Sequence, residues 1–231
     1  MRKTVLLTGF EPFNGESVNP AWEAVSALAG WTEEGGAQDG ATDRAANGAA
    51  DGFLVVVRRL PCVFGAANEA LAAALAQLAP DLVIAVGQAG GRADLSVERI
   101  AINVDDAPIA DNAGCRPLDT AVVHGAPAAY FSTLPIKAIA RAWRAAGLPA
   151  QVSQTAGTFV CNHVFYSLMH TAAGRAMRAG FIHLPYLPEQ AAAHPGAVGM
   201  ALADMVEGLK IAVRTALAAP RDIAEAGGAA H

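Results

Sequence analysis

The sequence predicts an α/β fold, a three-layer α/β/α single domain built on a largely parallel, twisted sheet. Short runs rich in β-branched residues alternate along the chain with longer segments of helix-forming residues, which is the order expected of βαβ units. One short run, DLVIAVG, is apolar throughout, as in a strand that is covered on both faces. Hydrophobic residues make up 53% of the 231, so the chain can bury a substantial core.

In the first third of the chain, composition identifies the strands and end signals identify the helices. TVLLTG is the first strand, and the helix after it has Asn19 as its N-cap and Pro20 as its first residue. FLVVVRRL is the second strand. The alanine-rich segment AANEALAAALAQLA is a helix that a proline ends.

The middle and last thirds continue the alternation. After DLVIAVG, the segment VERIAINV alternates as a strand would, with Ile100, Ile102 and Val104 on one face. The remaining elements are expected to be a helix over 135–147, a weaker strand over 150–157, a helix beginning at or near Cys161, a strand over 180–184 and a last helix over 200–218.

One domain is expected over residues 1–220. The stretch 31–52 is rich in glycine and alanine and is expected to be a mobile surface insert between a helix and a strand. Residues 221–231 are expected to be a flexible tail.

Charge and composition exclude several classes of protein. The formal net charge is −5 with no basic cluster, so we expect no nucleic-acid partner. No apolar run approaches the roughly 18 residues of a membrane span, so we expect no membrane partner. Three cysteines without a CxxC pair indicate reduced thiols in a cytoplasm and give no support to a metal site.

Cys161 stands where the apolar start of GTFVCNHVFY (157–166) gives way to polar residues and a helix. Near a helix N-terminus, the macrodipole and the free N–H groups lower the pKa of a thiol, which favours a nucleophile. A buried structural cysteine explains the placement equally well. Cys62 and Cys115 lack this strand-to-helix context, and we expect both to be structural.

A nucleophilic cysteine needs a base, and His183 is the best placed of the six histidines. It ends a short apolar strand at the edge of the sheet where Cys161 is expected. The alternative is a core histidine whose nitrogen binds a backbone carbonyl. His163, two residues from Cys161 on one helix, is expected to point away from the sulfur.

The base needs an acceptor on its far nitrogen, and Glu98 is the candidate. Glu98 shares the alternation of Ile100 and Ile102, so its side chain is expected on the apolar face. A buried carboxylate is costly without a partner, and an imidazole is a suitable one. The alternative is an exposed glutamate that pairs with Arg99 or Arg92.

Two glycine-rich turns could line a pocket. VGQAGGR follows a strand, but its glycines do not match G-x-G-x-x-G and no P-loop Lys-Ser/Thr follows, so a nucleotide site is not indicated. TGFEPFNGE places Phe10 and Phe13 three residues apart in a polar turn. They are either core residues or the walls of a small flat pocket, because aromatic faces pack well on a planar ring.

These pieces together resemble a known family of cysteine peptidases, the pyrrolidone-carboxyl peptidases (pyroglutamyl-peptidase I). The resemblance covers most of the chain apart from the insert and the last stretch. Its motifs, in order, are LLTGFEPFNGESVNPAWEAV, VGQAGGRADLSVERIAINVDDAPIADNAG, the segment 125–139, SQTAGTFVCNHVFYSLMH and GFIHLPYLPEQ.

The resemblance implies a cysteine peptidase that removes N-terminal pyroglutamyl (5-oxoprolyl) residues from peptides through a thioester acyl-enzyme. It implies a cytoplasmic homo-oligomer, a tetramer as in bacterial relatives, that needs no metal or cofactor. Two departures are visible: Asn14 stands where many relatives carry glycine, and APIADN stands where many carry ARIPDN. The residues to which it assigns roles are Cys161 as nucleophile, His183 as base and Glu98 as acid, with Phe10, Phe13, Gln88, Ile109, Phe159 and Val160 as substrate contacts.

Two other functions remain open from the residues alone. One is a different Cys-His-Glu amidase, such as a glutaminase of the amidotransferase type, which would act on free glutamine. The other is a nucleotide-binding module that uses VGQAGGR as its cradle. Substrate tests separate the first alternative, and a thermal-shift screen with nucleotides separates the second.

Overall fold

The computed structural model describes residues 2–34 and 52–228. Strands and helices alternate along these residues, and each strand consists mainly of the β-branched and apolar segments expected from the sequence. The elements are β1 (Lys3–Phe10), α1 (Pro20–Ser26), β2 (Thr32–Glu33), β3 (Phe53–Leu60), α2 (Ala66–Leu78), β4 (Leu82–Gln88), β5 (Leu95–Glu98), β6 (Ile100–Ile102), β7 (Ala129–Phe131), α3 (Ile136–Ala145), β8 (Ala150–Ser153), α4 (Val160–Ala172), β9 (Arg178–Leu184), α5 (Pro188–Ala191) and α6 (Leu202–Ala218).

Seven of these strands form the central sheet, in the order β2-β3-β1-β4-β9-β5-β8. The pairings β3–β1, β1–β4, β4–β9 and β5–β8 are parallel, and β2–β3 and β9–β5 are antiparallel. β6 and β7 form a separate antiparallel pair. The expected α/β architecture with a largely parallel sheet is therefore confirmed.

Helices cover the sheet on both faces. α1, α3 and α6 pack on one face, where Leu7 and Val5 of β1 meet Trp143 of α3 within one buried cluster. α2 and α4 pack on the other face, where Leu6 of β1 and Phe181 of β9 lie in a second cluster. Successive strand residues point to opposite faces, which is why one fully apolar strand serves both clusters.

The expected single strand over VERIAINV is wrong. β5 ends at Glu98, and β6 begins at Ile100 in the separate two-stranded sheet. Ile100 and Ile102 are only half-buried, whereas Ala101 between them is buried. Glu98 is nevertheless fully buried, because it belongs to β5, which lies between β9 and β8 in the large sheet.

The helix starts agree with their end signals. Asn19 caps α1 by accepting a hydrogen bond from the N–H of Ala21 at 3.0 Å, and Pro20 is the first helical residue. α4 begins at Val160, one residue before Cys161. The sequence analysis missed β2, β7 and α5, which have two, three and four residues and are too short for a periodic pattern.

The two segments of low complexity differ in what the structure shows. Of the expected insert over 31–52, residues 35–51 lie outside the described residues, and Thr32–Glu33 pairs with β3. In the tail, expected to be flexible from residue 221, residues Asp222, Glu225 and Gly227 contact the domain. The Asp222 carboxylate accepts hydrogen bonds from the backbone N–H groups of Lys137 and Ala138 at the start of α3.

Among residues 2–34 and 52–228, no helix is both long enough and apolar enough to cross a membrane.

Candidate active site

Glu98 and His183 form a buried pair in the centre of the sheet. The strands β5 and β9 run antiparallel, with Ser96 directly opposite His183, so Glu98 projects from the same face as the imidazole. His183 Nδ1 lies 2.7 Å from Glu98 Oε1, and both side chains are almost entirely excluded from solvent. The carboxylate can only accept a hydrogen bond at this distance. His183 therefore donates from Nδ1, which leaves Nε2 as the free nitrogen of the neutral ring.

The sulfur of Cys161 lies above the strand next to His183. A Cβ atom built on Gly87 of β4 would approach Cys161 Sγ to 2.8 Å, so the sulfur occupies the space that a side chain at position 87 would need. Gly87 is also the register partner of His183 in the β4–β9 pair. Because Gly87 has no side chain, the Cys161 thiol can lie close to the sheet, on the face from which the His183 imidazole projects.

The first turn of α4 is held by its polar residues. Asn162, fully buried, accepts from the N–H of Ile102 at 3.0 Å and donates to the carbonyls of Ile102 and Val104 at 2.9 Å each. These bonds fix the helix start against β6. Within the part of the chain that the structure describes, no side chain caps the helix at Phe159, so the N–H groups of the first turn remain available near the sulfur.

His163 contacts residues that are far from it in sequence. Its Nδ1 lies 2.7 Å from Asp105 Oδ2, and its Nε2 accepts from the N–H of Gly65 at 3.0 Å. The side chain of Asn68 lies 2.8 Å from the same Nε2. His163 therefore points away from Cys161, as expected, but it joins α4 to the segments before α2 and after β6.

The electrostatics of the thiol differ from the sequence expectation. Burial raises the pKa of Cys161 above that of an ordinary thiol, and the neighbouring Cys62 and Glu98 raise it further, while Arg92 lowers it. The thiol is therefore protonated in the resting site, and a base must take its proton.

The pKa of Glu98 is shifted in the opposite direction. Burial alone would raise the pKa, but the hydrogen bond of His183 and the charge of Arg92 together lower it below its usual value. Glu98 is thus a buried carboxylate that stays ionised, which is the form that orients and stabilises an imidazolium.

Aromatic side chains lie beside the start of α4. Phe13, half-buried in the turn after β1, has its ring centroid 6.0 Å from that of Phe159. Phe64 lies 5.5 Å from Phe159 in an edge-to-face arrangement. Phe10 is 2% exposed and packs on Phe181, whose ring is 4.8 Å from that of His183.

The other expected substrate contacts are spread around this position. Val160 is fully buried as the first residue of α4, and Gln88 is buried at the end of β4. Ile109 is half-buried in the loop between β6 and β7. Asn14, noted as a departure in the turn with Phe13, has a φ of 54°, a left-handed conformation that asparagine tolerates better than most residues.

Comparison with known proteins adds a decisive observation. A sequence model described as pyroglutamyl peptidase matches residues 3–219. The chain belongs to the pyroglutamyl peptidase family. The pyrrolidone-carboxylate peptidase of Cupriavidus pinatubonensis is 59% identical over 99% of this chain and 100% of its own length. That of Erwinia tasmaniensis is 56% identical over 99% of this chain and 100% of its own length.

Solved structures of this family have the same fold. The pyroglutamyl peptidase I of Bacillus amyloliquefaciens superposes with a TM-score of 0.86 at 43% identity, covering 98% of this chain and 100% of that chain. A mutant pyrrolidone carboxyl peptidase from Pyrococcus furiosus gives 0.81 at 40% identity over 93% and 98%. The predicted family and enzyme class, a cysteine peptidase acting on peptides, are confirmed, and neither the glutaminase nor the nucleotide-binding interpretation is needed.

Several residues that contact Glu98 or surround Cys161 could not be identified from the sequence. Asn162 and His163 were visible as a polar pair beside Cys161, but their partners at 102–105 come from a loop-rich segment that no periodicity identifies. Arg92 was considered only as a partner of an exposed Glu98. In the structure Glu98 is buried and binds Arg92 and His183 at once.

Proposed function

We propose that Cys161, His183 and Glu98 carry out pyroglutamyl-peptide hydrolysis in this protein as nucleophile, base and orienting carboxylate. The observation that carries the proposal is the buried Glu98–His183 hydrogen bond of 2.7 Å, beside a sulfur that Gly87 admits to the same face of the sheet. Nucleophile, base and orienting group on neighbouring elements are the arrangement that acyl transfer through a thioester requires.

Acylation begins with a proton transfer. The Cys161 thiol is protonated at rest, because burial raises its pKa, and the free Nε2 of His183 accepts the proton as the sulfur attacks the pyroglutamyl carbonyl carbon. Glu98 stabilises the imidazolium that results. His183 then gives the proton to the leaving amine as the C–N bond breaks, and a thioester to Cys161 remains.

Deacylation reverses the role of the imidazole. His183 takes a proton from water as the water oxygen attacks the thioester carbonyl, and the thiol recovers the proton when the C–S bond breaks. In both steps a tetrahedral oxyanion forms. The uncapped N–H groups at the start of α4 are candidate donors to it, and each such donor contributes roughly 10²–10³ in rate.

The substrate pocket is proposed to lie where the aromatic side chains meet the start of α4. Phe13 and Phe159 offer flat apolar surface for the five-membered lactam ring, and Phe10 supports the wall from the core. Gln88, Ile109 and Val160 are proposed to line the same pocket. Polar groups that read the lactam N–H and C=O would add specificity that stacking alone cannot supply.

A release assay tests this function. We expect the purified protein to free the reporter from a pyroglutamyl-amide substrate, and Cys161→Ala, His183→Ala and Glu98→Gln to lose most turnover. The triple variant should lose little more than the worst single one, because the residues act as a unit. Cys115→Ala, which removes an exposed thiol, is the matched control and should retain turnover. Turnover at the wild-type level in Cys161→Ala would refute the assignment.

A prolyl-amide reporter tests the pocket. Proline lacks the lactam carbonyl and brings an ammonium into an apolar site, and both differences are costly. Sites that hydrogen-bond a substrate group reject analogues without it by roughly 10⁴–10⁵, so prolyl turnover should be essentially undetectable. Comparable kcat/KM for the two reporters would show that the pocket reads shape alone.

We further propose that the protein works as a homo-oligomer, a tetramer by analogy with relatives, in a reducing cytoplasm. All three cysteines are free thiols, which suits that compartment. Leu118 and Phe131 are each 69% exposed, and large apolar side chains so exposed are often covered by another subunit. Light scattering after size-exclusion chromatography measures the assembly, and a monomer at working concentration would contradict it.

A further inference from the structure

Among the described residues, Glu98 has two hydrogen-bond donors, and only one of them belongs to the proposed chemistry. Arg92 Nη1 lies 2.6 Å from Glu98 Oε1, the same oxygen that receives the hydrogen bond of His183 at 2.7 Å. The other carboxylate oxygen, Oε2, has no hydrogen-bond partner among the described residues and is buried. Two charge-assisted donors on one oxygen fix the orientation of the carboxylate about its χ angles.

Arg92 is itself held in place. Its Nη2 donates to the carbonyl of Thr155 at 2.8 Å, and the side chain is 24% exposed. The guanidinium therefore links the loop after β4 to the segment between β8 and α4, and it covers Glu98 from the solvent side. A planar guanidinium can make both contacts at once, which the ammonium of a lysine cannot do in the same geometry.

We propose that Arg92 is a positioning residue of the reaction, one that holds Glu98 ionised and aims its Oε1 at His183. This inference rests on the proposed roles of Cys161, His183 and Glu98 and assigns a fourth residue to their network. Arg92 acts through Glu98 and is given no contact with substrate.

The charged and titratable groups around Glu98 determine what the removal of Arg92 would do. They are His183 of β9, Arg92 of the loop between β4 and β5 and the Cys161 thiol of α4. Arg92 supplies the one permanent positive charge in this set. Without the positive charge of Arg92, Glu98, Cys161 and His183 all bind protons more readily, because a positive neighbour disfavours the protonation of each group.

The test compares pH profiles of kcat/KM on a pyroglutamyl-amide reporter for Arg92→Gln, Arg92→Lys and Arg99→Gln. Arg99 is the matched control, because it is the next residue after Glu98 and bonds to Gln154 and the carbonyl of Gly227 instead. For Arg92→Gln we expect the acid limb to move up by about one pH unit and activity to fall roughly tenfold on that limb. The loss should shrink as the pH rises.

Arg92→Lys keeps the charge, so its acid limb should stay near that of the unmodified protein, and Arg99→Gln should match the unmodified protein throughout. The rate of iodoacetamide alkylation at Cys161 should also fall in Arg92→Gln at neutral pH. A loss by one constant factor at every pH in Arg92→Gln, or an acid limb that moves equally far in Arg92→Lys, would overturn the proposal. Should Arg92→Gln not fold, Arg92→Met, which also removes the charge, is measured in its place against the same outcomes.

Cys161→Ala and Glu98→Gln measured alongside separate this inference from the function on which it rests. If both are inactive while the Arg92→Gln profile overlays that of the unmodified protein, only the role of Arg92 fails. If Cys161→Ala is active, the catalytic assignment fails and the role of Arg92 with it.

Discussion

The three thiols of the chain differ in their surroundings, and these differences predict their reactivity. Cys62 is buried, and burial together with Glu11 and Asp111 raises its pKa to about 12. Cys115 is exposed. Cys161 is partly buried with a raised pKa, so it forms thiolate less readily than an ordinary thiol.

Brief treatment with iodoacetamide should therefore modify Cys115 without loss of activity and leave Cys62 unmodified. Modification of Cys161 should match the loss of activity and should become faster as the pH rises, because the thiolate fraction of a thiol with raised pKa grows towards alkaline pH. Mass spectrometry of peptides at each time point measures all three sites. Loss of activity that follows the label on Cys62 or Cys115 would contradict the role of Cys161.

At the scale of an element, the start of α4 depends on the three hydrogen bonds of Asn162. Asn162→Ala should leave buried backbone groups of Ile102 and Val104 without partners, at a cost of about 1–3 kcal/mol in the free energy of unfolding. A shift of the helix start by about 1 Å would lower kcat on the order of 100-fold. Denaturant unfolding and reporter turnover measure the two effects.

Ser167→Ala is the matched control for this change, because Ser167 lies further along α4 and accepts a hydrogen bond from Asn68. It should alter stability without altering kcat. Equal losses of kcat in both variants would mean that general stability of the helix, and not its first turn, limits turnover.

The turn that carries Phe13 is joined to the loop around α5. His194 Nε2 lies 2.7 Å from Glu16 Oε1, and Gln190 donates to Glu16 Oε2 at 3.1 Å. The His194 hydrogen bond is the largest influence on Glu16 and, with that of Gln190, lowers its pKa below the usual 4.5. A lowered folded pKa means that this contact stabilises the fold above pH 4.5 and is lost as the pH falls through the lower folded value.

Glu16→Gln should therefore raise KM for the pyroglutamyl reporter a few-fold at neutral pH with little change in kcat, since the aromatic wall loses its support. The pair is partly exposed and is worth only about 0–1 kcal/mol, so global stability should barely move. Glu189→Gln removes the same charge from exposed α5 and serves as the control. An unchanged KM in Glu16→Gln would show that the wall does not depend on this contact.

At the scale of the whole molecule, the sequence predicted the layers of helices and sheet better than the order and direction of the strands within the sheet. The composition of long segments such as β4 and α2 predicts whether they are strands or helices. The strand-to-helix junction at Cys161 could also be predicted from the residues next to it. The antiparallel direction of β5 relative to β9 could not be predicted, because parallel and antiparallel neighbours present the same apolar residues. Glu98 was expected to be buried for the wrong reason. Arg92 could not be chosen over Arg99, because Arg99 is adjacent to Glu98 in sequence and Arg92 is six residues away.

The C-terminal segment predicts a measurable effect on stability. Asp222 accepts from the N–H groups of Lys137 and Ala138 and so replaces the side-chain cap that α3 lacks at Pro135. Asp222→Ala should cost about 1 kcal/mol and lower Tm by roughly 2–4 °C, with turnover unchanged. Glu225→Ala removes an exposed ion pair with Arg141 and should change Tm less. Equal Tm values for Asp222→Ala and the unmodified protein would rule out this cap.

Positions 87 and 161 should be redesigned together, because a methyl group at Gly87 would occupy the space of the Cys161 sulfur. That methyl group would lie 2.8 Å from Sγ and 2.9 Å from the Phe181 ring, so removal of the sulfur relieves one of two clashes. Gly87→Ala should therefore cost less in the Cys161→Ala background than in the unmodified protein, with a coupling free energy on the order of 1 kcal/mol. A library that randomises Cys161 should therefore vary position 87 as well.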